Sequence, residues 1–159
     1  MLSSLTGLEL STNNLIGVIP TSLGNLSNLA TLYLHTNQLS GSIPQELGML
    51  SSLTDLELST NNLTGVIPTS LGNLNNLATL YLHTNQLFGS IPQEIGMLSS
   101  LTDLALSTNN LTGVIPPSLG NLSKLASLYL YGNRLSGFFP QEFGMVSFLM
   151  ILSYHLTIT

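Results

Sequence analysis

The stretch LTDLELSTNNLTGVIPTSLGNLNNLATLYLHTNQLFGSIPQEIGMLSS, residues 53–100, decides how the rest of the chain is read, because nearly everything on either side is another copy of it. Aligned without gaps, residues 5–52 match it at 43 of 48 positions and residues 101–148 at 34 of 48. Each copy splits into two 24-residue units of the form LxxLxLxxNxLxGxxPxxxG, so six units begin at Leu5, Leu29, Leu53, Leu77, Leu101 and Leu125. Self-similarity at such a period marks a chain of stacked coils, each too small to bury its apolar face alone.

Within a unit the alternation of Leu56-Glu57-Leu58-Ser59-Thr60 has the period of a half-buried strand, Leu inward and its neighbours outward. Strands of successive coils then pair in parallel, and six of them make a sheet about 29 Å along its axis at about 4.8 Å per strand. A column of asparagines follows at Asn13, Asn37, Asn61, Asn85, Asn109 and Asn133. An amide at an inward position is costly unless bonded, and Asn both donates and accepts, so the column is expected to form a structural ladder to the backbone of neighbouring coils. Glycines at 17, 41, 65, 89, 113 and 137 mark a turn, and prolines at 20, 44, 68, 92, 116 and 140 fix φ and withhold a donor. The closing PTSLGNL and PQELGML segments space apolar residues for one turn of 3₁₀ or α-helix.

Six units in register, with LxGxIP completing each of the first five, resemble the plant extracellular class of leucine-rich repeats, found in receptor-like kinase ectodomains and in proteins that inhibit microbial polygalacturonases. The resemblance covers residues 5–148. It implies an α/β repeat solenoid, a right-handed superhelix with a parallel concave β-sheet, short second strands at GVIP and GSIP, and short 3₁₀ or α turns on the convex side. The expected division is a remnant of a preceding repeat at 1–4, six repeats at 5–28, 29–52, 53–76, 77–100, 101–124 and 125–148, and a degenerate repeat or non-repeat tail at 149–159. Met1-Leu2-Ser3-Ser4 is identical to 49–52 and 97–100, so the chain is expected to be a piece of a longer solenoid. The sixth unit drifts, with Phe138, Phe139, Phe143 and Phe148 in place of smaller residues.

Composition narrows the function classes. Leu supplies 37 of 159 residues, while two basic and seven acidic residues leave a net charge of −5. So few cations argue against nucleic acid and against an anionic membrane surface as partners. The chain has no Cys, which excludes disulfides and thiolate ligation and sets it apart from relatives of the resembled class, whose repeats are usually flanked by cysteine-bearing caps. MLSSLTGLEL carries neither a basic region nor a continuous apolar stretch, and the run 143–152 is short of the roughly 20 residues a spanning helix needs.

Outward strand positions remain as candidates for recognition. One column reads Glu9, Tyr33, Glu57, Tyr81, Ala105, Tyr129, and beside it runs Ser11, His35, Ser59, His83, Ser107, Tyr131, with Asp55 and Asp103 two residues before the first column. The candidate ligand-binding set is therefore Glu9, Tyr33, His35, Asp55, Glu57, Tyr81, His83, Asp103, Tyr129 and Tyr131. Tyrosine offers rigid amphipathic area and the acids favour a basic or amine-bearing peptide or protein. Duplication of a 48-residue block would leave the same stripe with no ligand selected. Ser59, His35 and Glu57 imitate a catalytic triad, but the pattern holds no nucleophile elbow, oxyanion hole or water-excluding pocket. No cofactor or metal site is expected, since His35 and His83 are two strands apart. Sequons at Asn25, Asn62, Asn110 and Asn121 are possible glycosylation sites in numbers that chance would supply.

The resemblance implies a non-catalytic recognition module, part of a receptor-like kinase or receptor-like protein ectodomain at the cell surface or wall, with a peptide or protein ligand and a co-receptor as partners. A polygalacturonase-inhibitor-like wall protein and a truncated product without independent function are the alternatives. An uncapped first coil should expose Leu5, Leu8, Leu10, Leu15 and Leu23 at an open sheet edge, so the isolated chain is expected to self-associate.

Overall fold

A computed structural model describes residues 4–145. Residues 1–3, most of the expected remnant, and 146–159, which include the expected tail at 149–159 and Phe148, lie outside the described residues. The strands in chain order are Gly7–Glu9 (β1), Ile16–Val18 (β2), Thr31–Tyr33 (β3), Gln38–Ser42 (β4), Asp55–Glu57 (β5), Asn62–Thr64 (β6), Thr79–Tyr81 (β7), Phe88–Ser90 (β8), Asp103–Ala105 (β9), Asn110–Gly113 (β10), Ser127–Tyr129 (β11) and Arg134–Leu135 (β12).

The Leu-x-Leu alternation places one strand per coil. These strands form a single parallel sheet in the order β1-β3-β5-β7-β9-β11, with no shift of register from coil to coil. The inward leucines stack beneath it: Leu32, Leu56, Leu80 and Leu104 are fully buried, as are Leu58, Leu82 and Leu106 two residues on. Burying each is worth about 1.5–3 kcal/mol of transfer free energy, so repetition of one Leu pattern yields a continuous core.

The second strands make two three-stranded parallel sheets, β2-β4-β6 and β8-β10-β12, joined where Gln86 N–H donates to Leu63 O at 2.8 Å and Phe88 N–H to Gly65 O at 2.9 Å. They begin one to three residues before the GVIP and GSIP segments expected to form them and overlap those segments in every coil that carries one except the third. Pairing ends near the glycine, where Gly65 turns at φ 81°, and Pro68, with no N–H to give the ladder, leaves as extended chain at φ −65° and ψ 132°.

Of the two convex-side alternatives, the structure takes 3₁₀ in each coil, at Thr21–Asn25, Gln45–Met49, Thr69–Asn73, Gln93–Met97, Pro117–Asn121 and Gln141–Met145. The bonds are i to i+3, as in Leu71 N–H to Pro68 O at 3.1 Å. A 3₁₀ turn rises about 2.0 Å per residue against about 1.5 Å in an α-helix, so five residues carry the chain further back toward the next strand. Successive turns pack too closely for any side chain at the shared glycine. A Cβ on Gly48 would stand 2.3 Å from Ser70 O. This explains the last letter of the motif, which periodicity alone did not.

The asparagine side chains bridge coils. Asn61 Oδ1 accepts from Leu39 N–H in the preceding coil at 2.9 Å, while its Nδ2 donates to Leu34 O there at 3.0 Å and to Leu58 O in its own coil at 3.2 Å. Asn37, Asn85, Asn109 and Asn133 repeat the pattern, and Asn13, with no preceding coil described, bonds only within its own at Leu10 O and Ser11 O. One residue before each asparagine the backbone is left-handed: Thr12, Thr36, Thr60, Thr84 and Thr108 have φ of 54–57°, and Gly132 takes the place in the sixth coil at 68°. A β-branched residue there is strained, and nothing in the repeat pattern signalled it.

At the first coil the structure narrows the expected exposure. Leu10 and Leu15 are exposed together with Ile16 and Val18, whereas Leu5, Leu8 and Leu23 are half-buried because the second coil covers them on one side. In the sixth coil Phe143 replaces the core aliphatic and is buried, packing its ring 5.1 Å from that of Phe139, while Phe138 is exposed.

Candidate functional site

Because the sheet keeps its register, residues 24 positions apart in sequence fall in one straight row. Glu9, Tyr33, Glu57, Tyr81, Ala105 and Tyr129 are consecutive register partners on the concave face. Asp55 and Asp103 flank this row in register with Thr31, Thr79 and Ser127. Each carboxylate accepts from the hydroxyl before it, Thr54 to Asp55 at 2.7 Å and Thr102 to Asp103 at 2.8 Å, which fixes its direction. His35, His83 and Tyr131 lie just beyond the strands, in the second column. The ten candidate side chains thus share one surface.

Three positions expected to face solvent do not. Ser59 is 6 % exposed, Ser107 3 % and Ala105 4 %. Each is a small residue between two large ones, and on a sheet with about 4.8 Å between strands the larger side chains close over it. The surface is consequently ridged. Tyr81 and Tyr129 flank the buried Ala105, while Glu57 sits between Tyr33 and Tyr81. The alternation of large and small residues every 24 positions was the signal for this, and reading the columns as uniformly outward missed it.

His35 Nε2 lies 3.6 Å from Glu57 Oε2. Burial raises the Glu57 carboxyl above the usual carboxylate range, His35 opposes that shift, and the charges of Asp55 and Glu9 add to it. Glu9, in the first described coil, moves the other way, chiefly through the hydrogen bond that the Ser11 hydroxyl donates to it. The Tyr33 and Tyr81 phenols are pushed up by burial first, then by nearby carboxylates, Asp55 for Tyr33 and Asp103 for Tyr81. His83 is lowered by burial and by His35, and its ring stands 6.0 Å from that of Tyr81. These directions keep the Tyr33 and Tyr81 phenols and the His83 imidazole in their neutral forms at neutral pH. Lys124 precedes β11 and Arg134 opens β12, so neither cation belongs to the concave row.

The arrangement suits non-covalent recognition. The Ser59 hydroxyl is covered, and the His35 Nδ1 pairs with Thr36 Oγ1 at 3.2 Å, so the three residues that imitate a triad in sequence are not aligned as one. Among the described residues no group of three or more His, Asp or Glu is placed to share a metal ion, and no helix is long and apolar enough to cross a membrane. Of the sequon asparagines, Asn25 and Asn121 end 3₁₀ turns and are exposed, Asn62 opens β6 and is exposed, and Asn110 opens β10 and is half-buried.

Two family profiles, both described as leucine rich repeat, match the chain, one at residues 4–26, 28–50, 52–74 and 76–98, the other at 88–144. The chain belongs to the leucine-rich-repeat family. No curated protein sequence matches it. Among solved structures, this leucine-rich-repeat chain is similar to a plant peptide hormone receptor, RGFR1 in complex with RGF2, at 39 % identity and a TM-score of 0.92 over 96 % of its length. It is also similar to the Arabidopsis receptor kinase HAESA, in complex with the peptide hormone IDA and the co-receptor SERK1, at 40 % identity and a TM-score of 0.89 over 93 %. It spans about a quarter of each, 25 % in both cases. A plant ice-binding protein shares the fold at 32 % identity and a TM-score of 0.76, over 94 % of this chain and 57 % of that one. The fold alone thus does not set the function.

Proposed function

We propose that the chain is a non-catalytic recognition module, part of a plant leucine-rich-repeat receptor-like kinase or receptor-like protein ectodomain, whose concave face holds a basic peptide or protein segment at the cell surface. The observation that carries this reading is the register row itself. Acids and tyrosines alternate along one face with both described cations elsewhere, and an ordered sheet loses little freedom when a ligand docks. Similarity to receptors solved with peptide hormones, one of them with a co-receptor, supports a peptide ligand and a second protein as partners. Asp55, Glu57, Tyr81 and His83 form the centre of the proposed site, with Glu9, Tyr33, His35, Asp103, Tyr129 and Tyr131 around them.

Calorimetric titration of the full chain with a mixed pool of lysine- and arginine-rich peptides tests the reading. Binding should weaken on Tyr81→Ala and Glu57→Gln and fade with added salt, since the charge pairs are screened over about 10 Å at 0.1 M ionic strength. Binding that ignores both substitutions would move the site off this face.

A further inference from the structure

The three tyrosines of the row repeat with the 48-residue block. Tyr33, Tyr81 and Tyr129 stand two coils apart at one register position, about 9.6 Å from each other at about 4.8 Å per strand. A ligand that touches all three must present like groups on one side at that interval. A β-strand cannot, because three residues along it, about 10 Å, face the opposite way. A polyproline II helix returns to the same face every three residues, about 9.3 Å at about 3.1 Å per residue.

The surroundings of the three rings differ in order. Tyr33 lies in register between Glu9 and Glu57, Tyr81 between Glu57 and Ala105, and Tyr129 beside Ala105. The first ring is therefore bracketed by carboxylates and suits a guanidinium or ammonium stacked on its face. Tyr81 and Tyr129 flank the buried Ala105, a register position without a carboxylate, and that stretch suits proline rings, as aromatic-lined grooves elsewhere do.

We propose that the concave row takes a proline-rich segment in polyproline II conformation, with arginine or lysine over Tyr33 and prolines three and six residues away over Tyr81 and Tyr129. This rests on the basic-peptide reading above and gives that ligand a conformation and a spacing. Such a segment is already stiff when free, so little of the contact energy is lost to ordering it.

Three synthetic peptides of equal charge, titrated into the full chain, test it: one with arginine and two prolines at three-residue intervals, one with the same residues at four-residue intervals, and one with alanine for both prolines. The three-residue peptide should bind about tenfold more tightly than either other, consistent with one to two lost aromatic contacts. Tyr81→Ala should erase that preference, and Glu57→Gln should weaken the arginine-bearing peptides alike while keeping it. Equal binding of the three peptides would overturn the polyproline proposal and leave basic-peptide recognition standing. Binding by none of them would overturn both.

Discussion

The heptapeptide ELSTNNL occurs twice, at 9–15 and at 57–63, in two different environments. Leu10 is 39 % exposed and Leu58 0 %, and Leu15 is 38 % exposed and Leu63 0 %. The Asn13 side chain bonds only within its coil, whereas that of Asn61 ties two coils together. Glu9 titrates below the usual range and Glu57 above it. Identical letters thus acquire different energies because the third coil has a neighbour on both sides and the first, as described, on one. In a solenoid the stabilising unit is the interface between coils rather than the coil itself.

The largest difference should appear in the leucines. Leu58→Ala should lower stability in urea unfolding by about 3 kcal/mol, a cavity in a closed core, against about 1 kcal/mol for Leu10→Ala. Similar losses at the two sites would mean that the first coil is covered in solution. The asparagines come next. Asn61→Ala removes a donor and an acceptor from buried backbone partners and should lose about 2 kcal/mol, with less than about 1 kcal/mol for Asn13→Ala.

Thr60→Gly should go the other way. Relief of a left-handed β-branched residue, about 1–2 kcal/mol, exceeds the entropy that glycine adds to the unfolded chain, so a gain of about 0.5–1 kcal/mol is expected in the same unfolding assay. Gly132 already occupies that place in the sixth coil, and an unchanged or lower midpoint would show that the threonine is held without strain. The smallest effect is protonic. Carboxyl NMR titration should find Glu57 with the higher midpoint and Glu9 with the lower. Since the folded value of Glu57 is raised, its charge weakens the fold as pH climbs from the unfolded value, about 4.3, through the folded one. Glu57→Gln should therefore stabilise slightly at neutral pH and do nothing at pH about 3, whereas the contribution of Glu9 is present at neutral pH and lost on acidification.

Much of the architecture was written in the repeat. Leu56 and Leu58, the glycine near which the second strand ends and the asparagine amide each name a local requirement that any coil must meet, so six recurrences specify parallel stacking. The shared columns of Glu57, Tyr81 and His83 were readable for the same reason, since a sheet without register shift keeps columns straight. The recesses were not. Burial of Ser59, Ala105 and Ser107 depends on the size of residues 24 positions away, which meet them only across strands. Nor did spacing show that Gly48 touches Ser70 or that Thr60 turns left-handed, because both follow from how closely successive coils approach.

The sequence by itself determined the coil: its period, its leucine core, its amide ladder and the identity of the side chains on its open face. Tertiary structure decided which copies of one heptapeptide are core and which are edge, which carboxyl is raised and which lowered, and which small residues of the open face are covered. The physical reason is that burial, hydrogen bonding and dielectric belong to the contact between coils, which neighbours supply and a single repeat cannot encode.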